Sequence, residues 1–354
     1  MHRRDMLLLL AAGSSLTVRG KVLGAALPAG KKRGLGLVIY TLGLRQKAMQ
    51  AERPKRDLFE PLTYLDYCRS LGAGGIQVPL GVRDADYCAK LRAEAEKYRT
   101  YIEGIINMPR NDADLERFEA EVRTAGQAGA LALRTAILPG RRYEQFNTLQ
   151  EYLAAAEQGR RSVVRAVPIL ERHRVRLAIE NHKDQRSDER VALLRAIGSE
   201  YVGACVDLGN NFALLEDPVA VVEALAPWAY SVHIKDQAVR EYEEGFLFAD
   251  APLGEGFFDL RKMVGILRRA KPEVRFSLET LTRDPLQVPC LTEKYWATLA
   301  GVPGSDLART LRIVRGKGAQ QLPQISRLPL KEQVACESAG IVKSLKYASQ
   351  VLGL

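Results

Sequence analysis

From Gly34 onward, short apolar runs alternate with longer segments whose apolar residues recur at helical spacing, the pattern of a parallel α/β fold. Strands are expected at 35–40, 75–80, 101–107 and 130–138. Four more follow as Arg176-Leu-Ala-Ile-Glu180, Val202-Gly-Ala-Cys-Val-Asp207, Tyr230-Ser-Val-His233 and Val274-Arg-Phe-Ser-Leu-Glu279. Between them the periodicity predicts helices at 58–71, 84–98, 112–128, 148–173, 188–197, 218–226 and 259–270. Asn111 or Asp112 is placed to cap the third. Eight strands is the number a closed barrel requires, so the expected fold is a (β/α)8 TIM barrel over residues 34–304. Beyond Glu279 the pattern loosens into a long loop at 280–304 containing Pro285, Pro289 and Pro303. Helical segments at 305–315 and 330–351 then form a C-terminal helical extension. Val334, Ile341, Leu345 and Leu352 share one face of the last segment. That face is expected to complete the helical ring or cover the barrel bottom, with contact between copies in a homo-oligomer as the rival reading.

The last four runs each stop at a polar side chain: Glu180, Asp207, His233 and Glu279. Strand C-termini converge on one face of such a barrel, so these four side chains are expected to meet. Three carboxylates and an imidazole suit one divalent cation of the Mn, Mg, Co or Zn type. Taken singly, a strand-end carboxylate is more often a salt-bridge partner or helix cap.

The formal charge of +10 is uneven. Residues 1–33 hold seven Lys/Arg and one acid, and residues 305–354 hold eight and three, leaving 37 bases against 38 acids between. The barrel therefore has no overall nucleic-acid footprint. Arg3-Arg4-Asp5-Met6-Leu7 precedes a modest apolar run, Met6 to Val18, too short for a membrane span. Residues 1–29 are read as a twin-arginine-type export signal, with an unremoved basic helix and a cytoplasmic protein as the alternative. The five cysteines are scattered, with no close-spaced zinc-type pair.

Ala178-Ile-Glu-Asn-His-Lys-Asp184, Val206-Asp-Leu-Gly-Asn-Asn211, Ser231-Val-His-Ile-Lys-Asp236, Pro252-Leu-Gly-Glu-Gly256 and Ser277-Leu-Glu-Thr-Leu-Thr-Arg-Asp284 together resemble the sugar phosphate isomerase/epimerase family. This belongs to the xylose-isomerase-like TIM barrel superfamily, and the resemblance covers roughly residues 34–300. It implies that Glu180, Asp207, His233 and Glu279 hold the metal and that a small-molecule sugar is the substrate. Three residues after the aspartate, where ketose epimerases often carry His, stands Asn210, a departure that bears on the substrate and not on the metal set.

Glu180 and Glu279 are the expected proton-transfer pair. Abstracting a proton next to a carbonyl needs a base within hydrogen-bond reach and stabilisation of the developing enediolate oxygen, which a chelating divalent cation supplies. His182, Asn210, Lys235 and Arg283 are the expected substrate contacts, against the ordinary reading of loop polar residues as solvated or structural. Gly254-Glu-Gly256 is a weak phosphate-loop signal, better read as a turn. The leading function is an isomerase or epimerase of a keto sugar or related polyol. A lyase or dehydratase on the same fold, eliminating from a 3-keto-glycoside or an inosose, is the alternative. An abasic-site endonuclease needs more histidines than the chain offers outside its first residues, and a non-catalytic sugar-binding barrel should have lost one of the four ligands.

Overall fold

The computed structural model describes residues 34–52 and 57–354. The expected export signal lies outside them. Eleven strands appear among the described residues: β1 (Gly36–Val38), β2 (Gly75–Pro79), β3 (Tyr101–Ile105), β4 (Leu133–Thr135), β5 (Leu177–Glu180), β6 (Val202–Asp207), β7 (Ala229–Ile234), β8 (Asp236–Tyr242), β9 (Gly245–Ala251), β10 (Phe276–Leu278) and β11 (Leu286–Val288). Eight close into a barrel in the order β1-β10-β7-β6-β5-β4-β3-β2, each parallel to its neighbours. The core lies between this barrel and its helices, from Leu37, Ile76 and Ile179 in strands to Phe118, Val163 and Leu267 in helices.

Helix placement follows local chemistry. Thr148 and Glu151 form a reciprocal capping box at the start of helix Leu149–His173, and Asp84 caps helix Ala85–Tyr98 through the Tyr87 amide. Helix Leu330–Tyr347 packs against helix Gly43–Glu52, with Ile341 and Ser344 buried. Its Glu337 carboxylate accepts from the amides of Leu44 (2.7 Å) and Arg45 (3.0 Å), capping the first turn of that earlier helix. Arg268, on helix Leu260–Ala270, donates to Gly353 O at 2.7 Å. The last helix therefore takes the eighth place in the ring.

Three expectations need correction. The first strand is three residues long and passes into a 3-10 turn, Ile39–Leu42, where the buried Thr41 hydroxyl donates to Leu278 O at 2.8 Å. The expected strand at 130–138 contracts to Leu133–Thr135, because the Ala130 amide is taken by Ala125 O at the preceding helix end. The loop at 280–304 is not irregular throughout: it contains β11 and a helical turn, Glu293–Trp296.

β11 completes an antiparallel sheet in the order β11-β9-β8. That sheet, which no reading of the apolar pattern anticipated, begins directly after β7. It builds a second core from Val239, Phe246, Phe248, Val288 and Tyr295 against Phe212 in the turn that follows β6. The hairpin is pinned at its base by Asp236, whose carboxylate accepts from the amides of Gln237, Gly254, Gly256 and Phe258 at 2.9–3.2 Å. Gly254 has φ +87°, and a Cβ on Gly256 would lie 2.1 Å from Asp236 Oδ1. The Gly-x-Gly stretch thus wraps the protein's own carboxylate, as the turn reading requires. Among the described residues no helix is long and apolar enough to cross a membrane.

Candidate metal centre and substrate cavity

Neighbouring barrel strands align the four expected ligands: Asp207 is in register with His233, and His233 with Ser277, two residues before Glu279. One donor atom from each of Glu180, Asp207, His233 and Glu279 lies within 4.8 Å of the others, all on buried residues. His233 Nδ1 faces Glu279 Oε2 (3.3 Å), Glu180 Oε2 (3.6 Å) and Asp207 Oδ2 (3.9 Å).

The fit to a cation can be tested on the imidazole. Gln77 Nε2 donates to Glu103 Oε2 at 2.8 Å, which turns its Oε1 toward His233 Nε2, 2.7 Å away. With the ring proton on Nε2 donated to Gln77, Nδ1 presents a lone pair to three carboxylates, and it has no hydrogen-bond partner. Four such donors around one point need positive charge to hold them together, which Lys235 and Arg134 supply only in part from beside the cluster. The cluster fits a divalent cation. Although burial opposes charge on the ring, Cys205, Glu279 and Glu180 raise its pKa well above the ordinary imidazole range. A cation bound there displaces a proton from Nδ1, so metal affinity should rise with pH.

The other three of the four side chains are held by further groups. Arg134, on β4, places its guanidinium against Glu180 Oε2, and Asn210 Nδ2 donates to Glu180 Oε1 at 3.0 Å. Burial alone would raise the Glu180 pKa, but Arg134 holds it far below the usual carboxylate range. Asp207 Oδ1 accepts from the amides of Gly209 (2.9 Å) and Asn210 (2.7 Å). Lys235 Nζ bridges Asp207 Oδ2 and Glu279 Oε2, 2.7 Å from each. Burial likewise works against a charged Glu279, and Lys235 with His233 nevertheless keeps its pKa well below normal.

Beneath the cluster Glu103 accepts from Gln77 and from Ser231 Oγ (2.8 Å) inside the barrel. Burial pushes its carboxyl up to about 7 against an ordinary 4.5. Folded protein therefore holds this proton to higher pH than unfolded protein, and Glu103 makes stability fall as pH rises from about 4.5 through 7. In urea unfolding, the parent should lose on the order of 1–3 kcal/mol more than Glu103→Gln between pH 5 and pH 8. An identical pH response in both would refute that assignment.

A cavity of about 410 Å³ adjoins the cluster, its lining including Tyr40, Arg134, Arg141, Glu144, His182, Lys183, Asn210, Lys235, Glu279, Leu281 and Arg283. All four expected substrate contacts line it. They differ in freedom: Lys235 is committed to the two carboxylates and Asn210 to Glu180, whereas His182 Nδ1 has no partner. Glu279 reaches the cavity wall and Glu180 does not. Sequence reading missed Arg134, Gln77, Glu103 and Lys183.

A profile described as xylose isomerase-like TIM barrel matches residues 65–300. The chain belongs to that family. A 95-residue stretch is 34% identical to the 3-oxo-isoapionate decarboxylase of Pectobacterium atrosepticum, covering 26% of this chain and 34% of that protein. The chain thus matches about a third of the length of that relative. Among solved structures it is similar to a D-psicose 3-epimerase in the presence of D-fructose (TM-score 0.51, 13% identity), over 80% of this chain and 99% of the other. It is also similar to 3-keto-D-glucoside 4-epimerase from E. coli (TM-score 0.51, 10% identity), over 80% and 100%. At these identities the structural likeness shows the fold.

Proposed function

We propose that this family member is a divalent-metal-dependent isomerase or epimerase of a keto sugar or related polyol, working by proton transfer next to the ketone. The observation that carries the reading is the convergence of four strand-end donors on one point, with His233 Nδ1 unpartnered, beside a polar cavity. The cation, when bound by Glu180, Asp207, His233 and Glu279, supplies a Lewis acid for the substrate's keto oxygen. Glu279, at the cavity wall, takes or returns the proton at carbon. Glu180, within the same cluster, is its partner, and Arg134 sets the charge on that carboxylate. Lys235 holds Glu279 in place and keeps it ionised, the form a base needs.

A second reading is a lyase, in which the same proton-transfer machinery serves the loss of a group beside the ketone. The 34% identity to a decarboxylase of a 3-oxo acid supports it. Keto sugars and 3-keto-glycosides incubated with metal-loaded protein separate the two by product mass. Retained mass with altered stereochemistry or carbonyl position is expected from an isomerase or epimerase. Release of carbon dioxide, water or an aglycone would transfer the assignment to the lyase. Export by the twin-arginine signal remains part of the proposal. Replacing Arg3 and Arg4 by Lys should leave the protein in the cytoplasmic fraction, and normal export of that variant would refute it.

A further inference from the structure

We infer that Lys183 and Arg283 form an anion subsite in the cavity, so that the substrate carries a carboxylate or phosphate besides its ketone. This rests on the reading above, in that the cavity beside the cluster receives a keto sugar.

Lys183 is held with unusual care for a loop lysine. Its backbone is left-handed, φ +61°, a conformation non-glycine residues seldom adopt outside constrained sites, and its carbonyl accepts from the Arg142 amide at 2.9 Å. That turn carries the side chain to the cavity, where only 6% of the residue is exposed. The ammonium donates to Asn210 Oδ1, a neutral acceptor. Among the described residues no carboxylate lies within ion-pair distance of Lys183 or of the half-buried Arg283. Burial, Lys235 and Arg283 all disfavour the ammonium, whose pKa is pushed down to about 8 despite Asp207 and Asp250. Lys183, Lys235 and Arg283 all line the same cavity.

Charge accounting leads to the same place. A divalent cation with Arg134 and Lys235 already exceeds the three carboxylates by one. Arg141 is paired with Glu144 at 2.7 Å, and Asp250 accepts from Gln237 Nε2 (2.5 Å) and the Leu281 amide (2.8 Å). Those donors are neutral, so Asp250 keeps its charge and offsets one cation at a distance; among the described residues neither Lys183 nor Arg283 has a carboxylate within ion-pair distance, and positive charge remains in excess. Burying like charges together without a partner is costly, and a neutral polyol would gain nothing from it. An anionic oxygen group on the ligand satisfies both.

The test is calorimetric titration of manganese-loaded full-length protein with three probes. D-fructose is neutral, 2-keto-D-gluconate replaces one CH2OH of the same chain with a carboxylate, and D-fructose 6-phosphate carries a phosphate. At least one anion should bind about 10-fold or more tightly than D-fructose, and whichever it is identifies the group. Lys183→Gln and Arg283→Gln should each weaken the anion far more than D-fructose, so that most of that preference is lost. Arg283 is half-buried in a loop, so its variant decides the matter if Lys183→Gln does not fold. Equal binding of the neutral and anionic probes would overturn the subsite and leave the keto-sugar reading standing. An anion preference surviving substitution would come from the metal ion itself and would equally overturn it. Failure of all three to bind would count against the keto-sugar reading, and the subsite would go with it.

Discussion

Asp207→Asn and His233→Ala should each leave a folded barrel that retains less than about a tenth of the parent's divalent metal and no measurable turnover. Both side chains stand at strand C-termini, above the packed layers, so neither removal opens a cavity in the main core. His233→Ala takes away the nitrogen donor; Asp207→Asn takes away a charge whose loss leaves Lys235 to Glu279 alone. Removing a group that merely orients a ligand typically costs 10- to 100-fold in affinity, and removing a ligand should cost at least that. Metal analysis of the purified variants, with circular dichroism to confirm folding, measures both halves. Parent-like stoichiometry in either variant would place the metal elsewhere.

The two glutamates should fail in different ways. Glu279→Gln keeps an oxygen donor and leaves Lys235 paired with Asp207, so stability should persist while the lost charge weakens metal binding and turnover at saturating metal falls by about 100-fold or more. Glu180→Gln leaves the Arg134 guanidinium buried against a neutral amide. Breaking such a pair typically costs about 3–5 kcal/mol, so a drop in melting temperature should accompany its loss of activity. Arg134→Met alone should also destabilise, and the double variant should recover part of the loss because no unpaired charge remains. Thermal melts, metal content and rates on the four proteins separate a proton-transferring carboxylate from a pinned one. Equal stability loss in Glu279→Gln and Glu180→Gln would contradict the asymmetry.

The barrel was legible because each strand is an apolar run ending in loop chemistry, and the meeting of Glu180, Asp207, His233 and Glu279 because strand ends are where a barrel converges. The interior polar groups were missed for a reason that the same physics exposes. Gln77 in Ile76-Gln77-Val78 and Glu103 in Ile102-Glu103-Gly104 are lone polar side chains within short strands, and Arg134 sits between Leu133 and Thr135 in another. Side chains alternate along a strand, so flanking apolar residues packed under helices send the polar one into the barrel. Gln77 and Glu103 are direct register partners, which the sequence alone does not reveal. Nothing in the sequence marks Lys183, because its left-handed backbone leaves no trace in residue type; glycine or asparagine there would signal it. The hairpin of β8 and β9 went unread because its apolar positions pack on a second core drawn from distant segments, Phe212 and Tyr295 among them.

The most direct test of the metal-centred account is deuterium incorporation at carbon. A panel of keto sugars and keto sugar acids would be incubated in heavy water with the manganese-loaded protein, with the chelator-stripped protein and with loaded Asp207→Asn. The account predicts deuterium next to the ketone of at least one compound with the loaded parent, and none above background with the other two. Exchange by the stripped protein or by Asp207→Asn at the rate of the loaded parent would contradict it.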